Sequence, residues 1–224
     1  MIAETLDPSR AAARRTMVDC QIRPFDVTDG PVLAAFLDVA REDFVAQGLA
    51  DIAYADRALP ARGAPGRLLI APMILARMLQ SAGIKPTDKA LDVAGGSFYT
   101  AALLTRLAGQ VTALETAERP DGRAALEGVL GTAQVTCVTG PLPEGWAKGA
   151  PYDVIIVNGG LAQRPQTLLS QLAEGGRLVC CDLAGRAPRI MRFERSGDVF
   201  GARAVCEGSA AELADFRAAP GFVF

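Results

Sequence analysis

From residue 89 onward, short apolar runs alternate with stretches whose apolar positions recur every three to four residues. The apolar runs are nearly continuous, which is typical of strands that are buried on both faces of a parallel sheet. Helices separate the strands of such a sheet, since parallel neighbours need a crossover connection. The runs predicted as strands are KALDVA, QVTALE, QVTCVTG, YDVIIVNG and GRLVCCDL, and the predicted helices between them are FYTAALLTRLA, GRAALEGVLG and PQTLLSQLA.

The first 85 residues show helical periodicity instead. AAARRTMVDCQI is predicted to be helical up to a break at Arg23-Pro24, and a second amphipathic helix is predicted over PVLAAFLDVAREDFV, with Asp29 as its cap. A third, APMILARMLQSAGI, is expected to stop near Gly83. Between the second and third helices, residues 53–66 are rich in turn residues and are predicted to be irregular.

Two further strand-like pieces, RIMRFERSG and VFGARAVCEG, follow residue 188 and are joined by Ser196-Gly197-Asp198, a spacing that suits a hairpin at one sheet edge. We therefore predict an α/β fold, a doubly wound and mostly parallel sheet with an N-terminal helical cap and an antiparallel C-terminal hairpin. The expected organisation is a single domain over 1–224, with the cap at 1–85 and the α/β core at 86–224. The final residues, GFVF, are expected to dock in the core.

Composition narrows the classes of partner. With 224 residues the chain can bury a sizeable core, and half of its residues are apolar. The formal net charge is −2 and the arginines are scattered, so neither nucleic acid nor an acidic membrane surface is indicated. No apolar run reaches the ~18 residues of a membrane span. The first ten residues lack the layout of a signal peptide. Nothing in the sequence indicates the oligomeric state.

Cysteine and histidine content bear on the chemistry. The five cysteines have no metal-type spacing, and the adjacent Cys180 and Cys181 are interpreted as small core residues. This usage fits a reducing cytoplasm and no metal site. The chain has no histidine, which excludes serine–histidine and cysteine–histidine hydrolase chemistry.

The stretch ALDVAGGSFYTAALL predicts a cofactor site. It is a strand, a glycine-containing turn and a helix start, and in doubly wound sheets ligands bind beyond such strand ends. The next strand ends in Glu115, 23 residues after Asp92, where an acid can accept ribose hydroxyls. The alternative is that Glu115 is a solvated residue at a strand end. Nicotinamide and S-adenosylmethionine proteins share this layout, and the acid directly before the turn favours the second. The candidate residues are Asp92, Ala94, Gly95, Gly96, Ser97, Phe98 and Glu115.

Longer stretches of the chain resemble the protein-L-isoaspartate O-methyltransferase family. Residues 17–45 resemble its opening helices, AYADRALP matches its characteristic turn, and PYDVIIVNGG followed by RPQTLLSQLAEGGRL matches its fourth strand, crossover helix and fifth strand. The resemblance implies a Rossmann-like methyltransferase sheet, S-adenosyl-L-methionine as cofactor, an isoaspartyl carboxylate of a damaged protein as methyl acceptor, and a cytoplasmic repair role. A carboxylate is already a nucleophile at neutral pH, so methyl transfer needs orientation more than a base. No catalytic residue is singled out.

Three departures from the family pattern keep other functions open. Ala94 and Phe98 stand where the turn has glycines, and Gly140 stands where the family has an acid near the adenine. The stretch Leu68–Pro72 replaces the family's hydroxyl-bearing Thr-Ile-Ser-Gln-Pro beside the substrate. The resemblance thus adds Gly140, Leu142 and Asn158 as cofactor-binding candidates and Leu68, Ile70 and Pro72 as substrate-binding candidates.

Three functions are weighed on this basis. The first is an isoaspartyl methyltransferase, and the second is a methyltransferase with a more apolar acceptor, suggested by the leucines and isoleucine of Leu68–Pro72. The third is a non-catalytic descendant that acts as a binding module, suggested by Phe98 and Gly140 together.

Overall fold

The computed structural model describes residues 8–130 and 135–217. The C-terminal GFVF lies outside the described residues.

The N-terminal part is built from three helices and a short β ladder. They are α1 (Pro8–Met17), α2 (Gly30–Asp38), β1 (Leu59–Pro60), β2 (Leu68–Leu69) and α3 (Pro72–Ala82). The Asp29 side chain caps α2 by accepting a hydrogen bond of 3.0 Å from the Val32 N–H, as predicted. Gly83 ends α3 in the left-handed conformation, with φ 56°, also as predicted.

Helix α1 continues through a wider turn over Val18–Ile22 and ends in a 3-10 turn over Arg23–Phe25, at the predicted break. Two other expectations were wrong. Residues 53–66 are not wholly irregular, because β1 lies among them and pairs antiparallel with β2. The second helix ends at Asp38 instead of running to residue 45. Val39 and Arg41 are both fully buried. Residues two apart face opposite sides of a helix, so a continued helix could bury only one of these side chains. The extended backbone at Val39 lets both point inward.

A seven-stranded sheet forms the centre of the molecule, with the order β5-β4-β3-β6-β7-β8-β9. The pairings among β3 to β7 are parallel, and β7–β8 and β8–β9 are antiparallel, which confirms the predicted fold class. The strands are β3 (Lys89–Val93), β4 (Gln110–Glu115), β5 (Val135–Thr139), β6 (Tyr152–Leu161), β7 (Leu172–Asp182), β8 (Arg189–Ser196) and β9 (Val199–Glu207), and the intervening helices are α4 (Tyr99–Leu104), α5 (Pro120–Leu130) and α6 (Gln166–Ser170).

The sheet positions the site. From β3 the chain moves outward to β4 and β5 and then returns to place β6 on the other side of β3. This reversal of strand order opens a crevice beyond the carboxyl ends of β3 and β6. The buried centre of the sheet includes Cys180 and Cys181, which confirms their interpretation as core residues. Among the described residues, no helix is long and apolar enough to cross a membrane.

Candidate cofactor site

The predicted turn joins β3 to α4 at the switch in strand order. Ala94, just past β3, donates its N–H to the Leu114 carbonyl of β4 over 3.1 Å, so the turn begins beside the end of the neighbouring strand. Residues 91–100 are all buried. The turn is therefore an internal feature of the fold rather than an exposed loop.

Every second residue of the turn has a left-handed backbone. The φ angles are 62° at Ala94, 70° at Gly96 and 69° at Phe98. A residue with a side chain in this conformation costs roughly 1–2 kcal/mol relative to glycine. The family's glycines at 94 and 98 thus correspond to a real backbone requirement, which this chain satisfies with alanine and phenylalanine.

Asp92 belongs to a buried polar network that links β3, α4 and β6. Asn158 Nδ2 donates to Asp92 Oδ1 over 2.5 Å and to the Val93 carbonyl over 2.9 Å, and Asn158 Oδ1 accepts from Thr100 Oγ1 over 2.5 Å. Asp92 Oδ2 is buried and accepts no hydrogen bond within the part of the chain described. Burial raises the pKa of Asp92 to about 7, although the Asn158 amide opposes the shift.

Glu115 turns inward from the end of β4. Its Oε1 accepts the Gly96 N–H over 2.5 Å, and the residue is only 1% exposed, so the solvated interpretation was wrong. Oε2 lies 3.8 Å from Arg67 Nε and 3.6 Å from Arg119 Nη2, which are ion-pair distances, and this oxygen has no hydrogen bond from a described residue. Burial raises the pKa of Glu115, while the Gly96 N–H and the two arginines oppose that rise.

A cavity of about 220 Å³ adjoins Glu115 at the carboxyl ends of β4 and β5. This is below the roughly 300–1,000 Å³ usual for small-molecule sites. Its walls include Phe98, Glu115, Arg119, Arg123 and Thr139. Arg119 Nε, like Glu115 Oε2, is a buried polar atom for which the described residues supply no partner. The cavity is small, and two polar atoms of its wall residues, Arg119 Nε and Glu115 Oε2, have no hydrogen-bond partner among the described residues.

Phe98 limits the size of this cavity. The residue is 3% exposed, packs in the main hydrophobic core and contributes to the cavity wall beside Glu115. The phenylalanine therefore narrows the space near the turn without closing it.

The remaining cofactor candidates have other surroundings. Gly95 lies against Asp92, because a Cβ at that position would be 2.5 Å from Asp92 Oδ2. Ser97 turns away from the sheet edge and donates its hydroxyl to the Phe44 carbonyl over 2.6 Å. Gly140 donates its N–H to the Glu115 carbonyl over 2.9 Å. Leu142 is fully buried in the core and is not part of the cavity wall.

The substrate candidates are only partly accessible. Leu68 is 36% exposed, whereas Ile70 is 5% exposed and Pro72 is buried in the first turn of α3. The Ile70 carbonyl accepts a hydrogen bond of 3.0 Å from the Nη2 atom of buried Arg41. Of these side chains, that of Leu68 is available at the surface, so a role of the stretch in substrate binding stays a prediction.

Sequence reasoning missed three charged residues around Glu115. Arg119 follows Glu115 by four residues. This spacing predicts a side-chain contact within a helix, but Glu115 ends a strand, so the spacing did not predict the ion pair. Arg67 and Asp215 form an ion pair of 3.1 Å although 148 residues separate them, and a contact of that range leaves no local pattern. The network of Asp92, Asn158 and Thr100 was missed for the same reason.

Comparison with known proteins settles the family. The family model described as Protein-L-isoaspartate(D-aspartate) O-methyltransferase (PCMT) matches residues 14–207. The chain belongs to the protein-L-isoaspartate O-methyltransferase family. Protein-L-isoaspartate O-methyltransferase 1 of Rhodopseudomonas palustris (strain HaA2) is 37% identical over 95% of this chain and 84% of the relative. Protein-L-isoaspartate O-methyltransferase of Koribacter versatilis (strain Ellin345) is 42% identical over 75% of this chain and 76% of the relative.

Solved structures agree with this assignment at the level of the fold. A structure titled protein-L-isoaspartate O-methyltransferase has a TM-score of 0.77 and 23% identity, over 90% of this chain and 66% of that one. A putative protein-L-isoaspartate O-methyltransferase from Plasmodium falciparum, in complex with S-adenosyl-L-homocysteine, has a TM-score of 0.74 and 16% identity over 90% of this chain and 98% of that one.

Membership confirms the predicted class, an S-adenosylmethionine-dependent methyltransferase of the protein-L-isoaspartate type, and its cofactor. It also favours the enzyme over the non-catalytic alternative. Proteins of the family act on damaged protein substrates.

The polar atoms of the site fit such a cofactor. S-adenosylmethionine carries an α-ammonium group and two ribose hydroxyls, all of which are hydrogen-bond donors. Asp92 Oδ2 accepts no hydrogen bond from a described residue, and Glu115 Oε2 has two arginines at ion-pair distance but likewise accepts no hydrogen bond. The two residues lie near the ends of adjacent strands, β3 and β4. Buried polar atoms are nearly always hydrogen-bonded, so these two carboxylate oxygens have hydrogen-bonding capacity left that the donors of such a ligand fit.

Proposed function

We propose that this chain binds S-adenosylmethionine at the turn after β3 and transfers its methyl group to an isoaspartyl carboxylate in a damaged protein. The proposed binding residues are Asp92 for the α-ammonium group, Glu115 for the ribose hydroxyls and Asn158 as the residue that orients Asp92. The observation that carries the proposal is that Asp92 Oδ2 and Glu115 Oε2, both buried, accept no hydrogen bond from a described residue.

The chain's own groups supply binding and orientation. A bound S-adenosylmethionine would supply a methyl group on a positively charged sulfur. An oxygen of the acceptor carboxylate would form the new O–C bond while the S–C bond breaks, its electrons staying on the sulfur of S-adenosylhomocysteine. Glu115 is held by the Gly96 N–H, and Asp92 is held by Asn158, so both acceptors are fixed before a ligand arrives. Such fixed geometry lowers the entropic cost of bringing donor and acceptor together. The reaction needs no proton removed from the acceptor carboxylate, which is consistent with a chain that lacks histidine.

We also propose that the protein works in the cytoplasm. The five cysteines are free thiols, and such usage fits a reducing compartment.

Binding of S-adenosylhomocysteine tests the site. Saturation at 100 times the dissociation constant is expected to stabilise the fold by about 2.7 kcal/mol, a rise of several degrees in melting temperature. Glu115→Gln is expected to weaken binding about tenfold or more, because a charged acceptor is lost from a buried site. Glu194→Gln, on β8 and paired with Arg192 away from the turn, is the matched control and should bind like the wild type.

Transfer of a labelled methyl group to an isoaspartyl peptide, with the matched aspartyl peptide as control, tests the substrate. Equal transfer to both peptides, or to neither while the cofactor analogue binds, would refute the isoaspartyl acceptor and leave the cofactor site intact. Unchanged affinity in Glu115→Gln would remove Glu115 from the site.

A further inference from the structure

A short segment packs against the turn at Gly96. This segment, Ala61–Arg67, joins β1 to β2 and is called the strap below. It is closed on itself by hydrogen bonds of 3.0 Å from the Ala61 N–H to the Arg67 carbonyl and from the Arg67 N–H to the Ala64 carbonyl. A Cβ at Gly96 would lie 2.9 Å from Ala61 Cβ and 3.1 Å from Arg67 Cβ, so the strap lies directly against the turn.

Arg67 ties the strap to two other parts of the molecule. Its Nε lies 3.8 Å from Glu115 Oε2, and its Nη1 and Nη2 both donate to Asp215 Oδ2 over 3.1 Å. Asp215 lies in a 3-10 turn, Ala214–Phe216, that follows a segment anchored to β6. The anchor consists of the Gly160 N–H donating to the Ala211 carbonyl over 2.7 Å and the Leu213 N–H donating to the Gly160 carbonyl over 2.9 Å.

We propose that the strap is a latch that closes the cofactor turn. This inference rests on the proposed function, since it concerns access to the same turn. Arg67 holds the Glu115 oxygen that the ribose would use, and the Arg67–Asp215 ion pair keeps the strap shut. The cofactor enters when this ion pair breaks and the strap moves outward.

The strap is fixed near Ala61, where the Arg62 N–H donates to the Phe44 carbonyl over 2.9 Å and Ala61 is buried, so the proposed motion is confined to its Arg67 end. Its guanidinium pairs with Glu115 at 3.8 Å, beyond hydrogen-bond distance, and the Asp215 side chain is 31% exposed. Two glycines in the strap, Gly63 and Gly66, have left-handed φ angles of 61° and 77°. Open clefts of about 550 and 500 Å³ flank the strap, so space for displacement exists.

A closed latch lowers the apparent affinity for the cofactor by the fraction of molecules that are open. Asp215→Asn removes the charge that holds Arg67 and leaves Glu115 and the turn unchanged. We expect S-adenosylhomocysteine to bind about two- to fivefold more tightly, which is the effect of losing one partly exposed ion pair. Its association rate in stopped flow should rise in parallel. Glu212→Gln breaks a neighbouring ion pair with Arg217 in the same segment and is the matched control.

A cross-link provides the opposite test. A Cβ at Gly63 would lie 2.7 Å from Asp121 Cβ of α5, so Gly63→Cys with Asp121→Cys places two thiols within reach after a shift of about 1 Å. The oxidised protein should lose affinity for S-adenosylhomocysteine by about tenfold or more, because the strap is locked over the turn. The same protein after reduction is its own control and should recover binding.

The outcomes separate the latch from the proposed function. If neither Asp215→Asn nor the disulfide changes the affinity measured for the wild type, the latch is overturned. The proposed cofactor site is then unaffected. Binding that appears in Asp215→Asn but not in the wild type supports a tightly closed latch. No binding in any variant, with each shown to be folded by its melting transition, overturns the proposed function and the latch together.

Discussion

At the scale of single residues, the turn combines a backbone built for glycine with side chains that are not glycine. Ala94 and Phe98 both have left-handed φ angles, so each stores about 1–2 kcal/mol of strain. The Phe98 ring offsets part of this cost because it is buried in the core. The same ring narrows the cavity beside Glu115. Phe98 therefore stabilises the fold and, at the same time, reduces the space available to a cofactor.

Replacing both residues by glycine tests this opposition. Phe98→Gly with Ala94→Gly is expected to lower the free energy of unfolding by about 1–3 kcal/mol, since the loss of the ring outweighs the relief of strain. Relief of crowding worth about 1–3 kcal/mol would raise affinity for S-adenosylhomocysteine about 5- to 150-fold. Melting and calorimetric titration measure the two effects. Phe193→Ala, in β8, should lose stability without gaining affinity, and unchanged or weaker binding in the double variant would mean that Phe98 does not limit the site.

At the scale of elements, one buried side chain holds three of them together. Asn158 of β6 bonds to Asp92 and Val93 of β3 and to Thr100 of α4. These bonds fix the distance between the strands at the point where the strand order reverses. The network therefore fixes the direction in which Asp92 points.

Thr100→Val keeps the shape of the side chain and removes its hydroxyl. Asn158 Oδ1 then lacks a donor in a buried position, which is expected to cost about 1–3 kcal/mol and several degrees of melting temperature. Thr16→Val, whose exposed hydroxyl bonds within its own helix, should change the melting temperature by about 1 °C or less. A Thr100→Val variant that melts like the wild type would show that the network does not stabilise the fold.

At the scale of the whole molecule, buried carboxyl groups make stability depend on pH. Asp92 has a folded-state pKa of about 7, well above its ordinary value of 3.8, because it is buried. Between these two values the folded state binds more protons than the unfolded state, so this group makes stability fall as pH rises from about 4 to 7. Above pH 7 the loss is complete.

Asp92→Asn removes this dependence. The free energy of unfolding of the variant, relative to the wild type, should rise with pH by on the order of 1 kcal/mol per pH unit between about pH 4 and 7 and then level off. Urea unfolding at each pH measures the difference. Thr16→Val, which removes no titratable group, is a control that should leave the pH profile parallel to that of the wild type. A flat difference between wild type and Asp92→Asn would show that Asp92 is ionised throughout.

The sequence alone determined the order of strands and helices, because buried parallel strands need continuous apolar runs such as YDVIIVNG and GRLVCCDL. It also placed Asp92 and Glu115 at strand ends, and the longer stretches 17–45, 53–60 and 151–178 predicted the family. Whether the chain forms one domain divided at residue 85 stays a prediction.

Only the tertiary structure decided what surrounds those two acids. The left-handed angles of Ala94 and Phe98, the Asn158 network and the closure of the turn by Arg67 depend on segments that are distant in sequence and leave no periodic pattern. Periodicity reports which face of an element is buried, whereas the partner of a buried charge is set by how the elements pack.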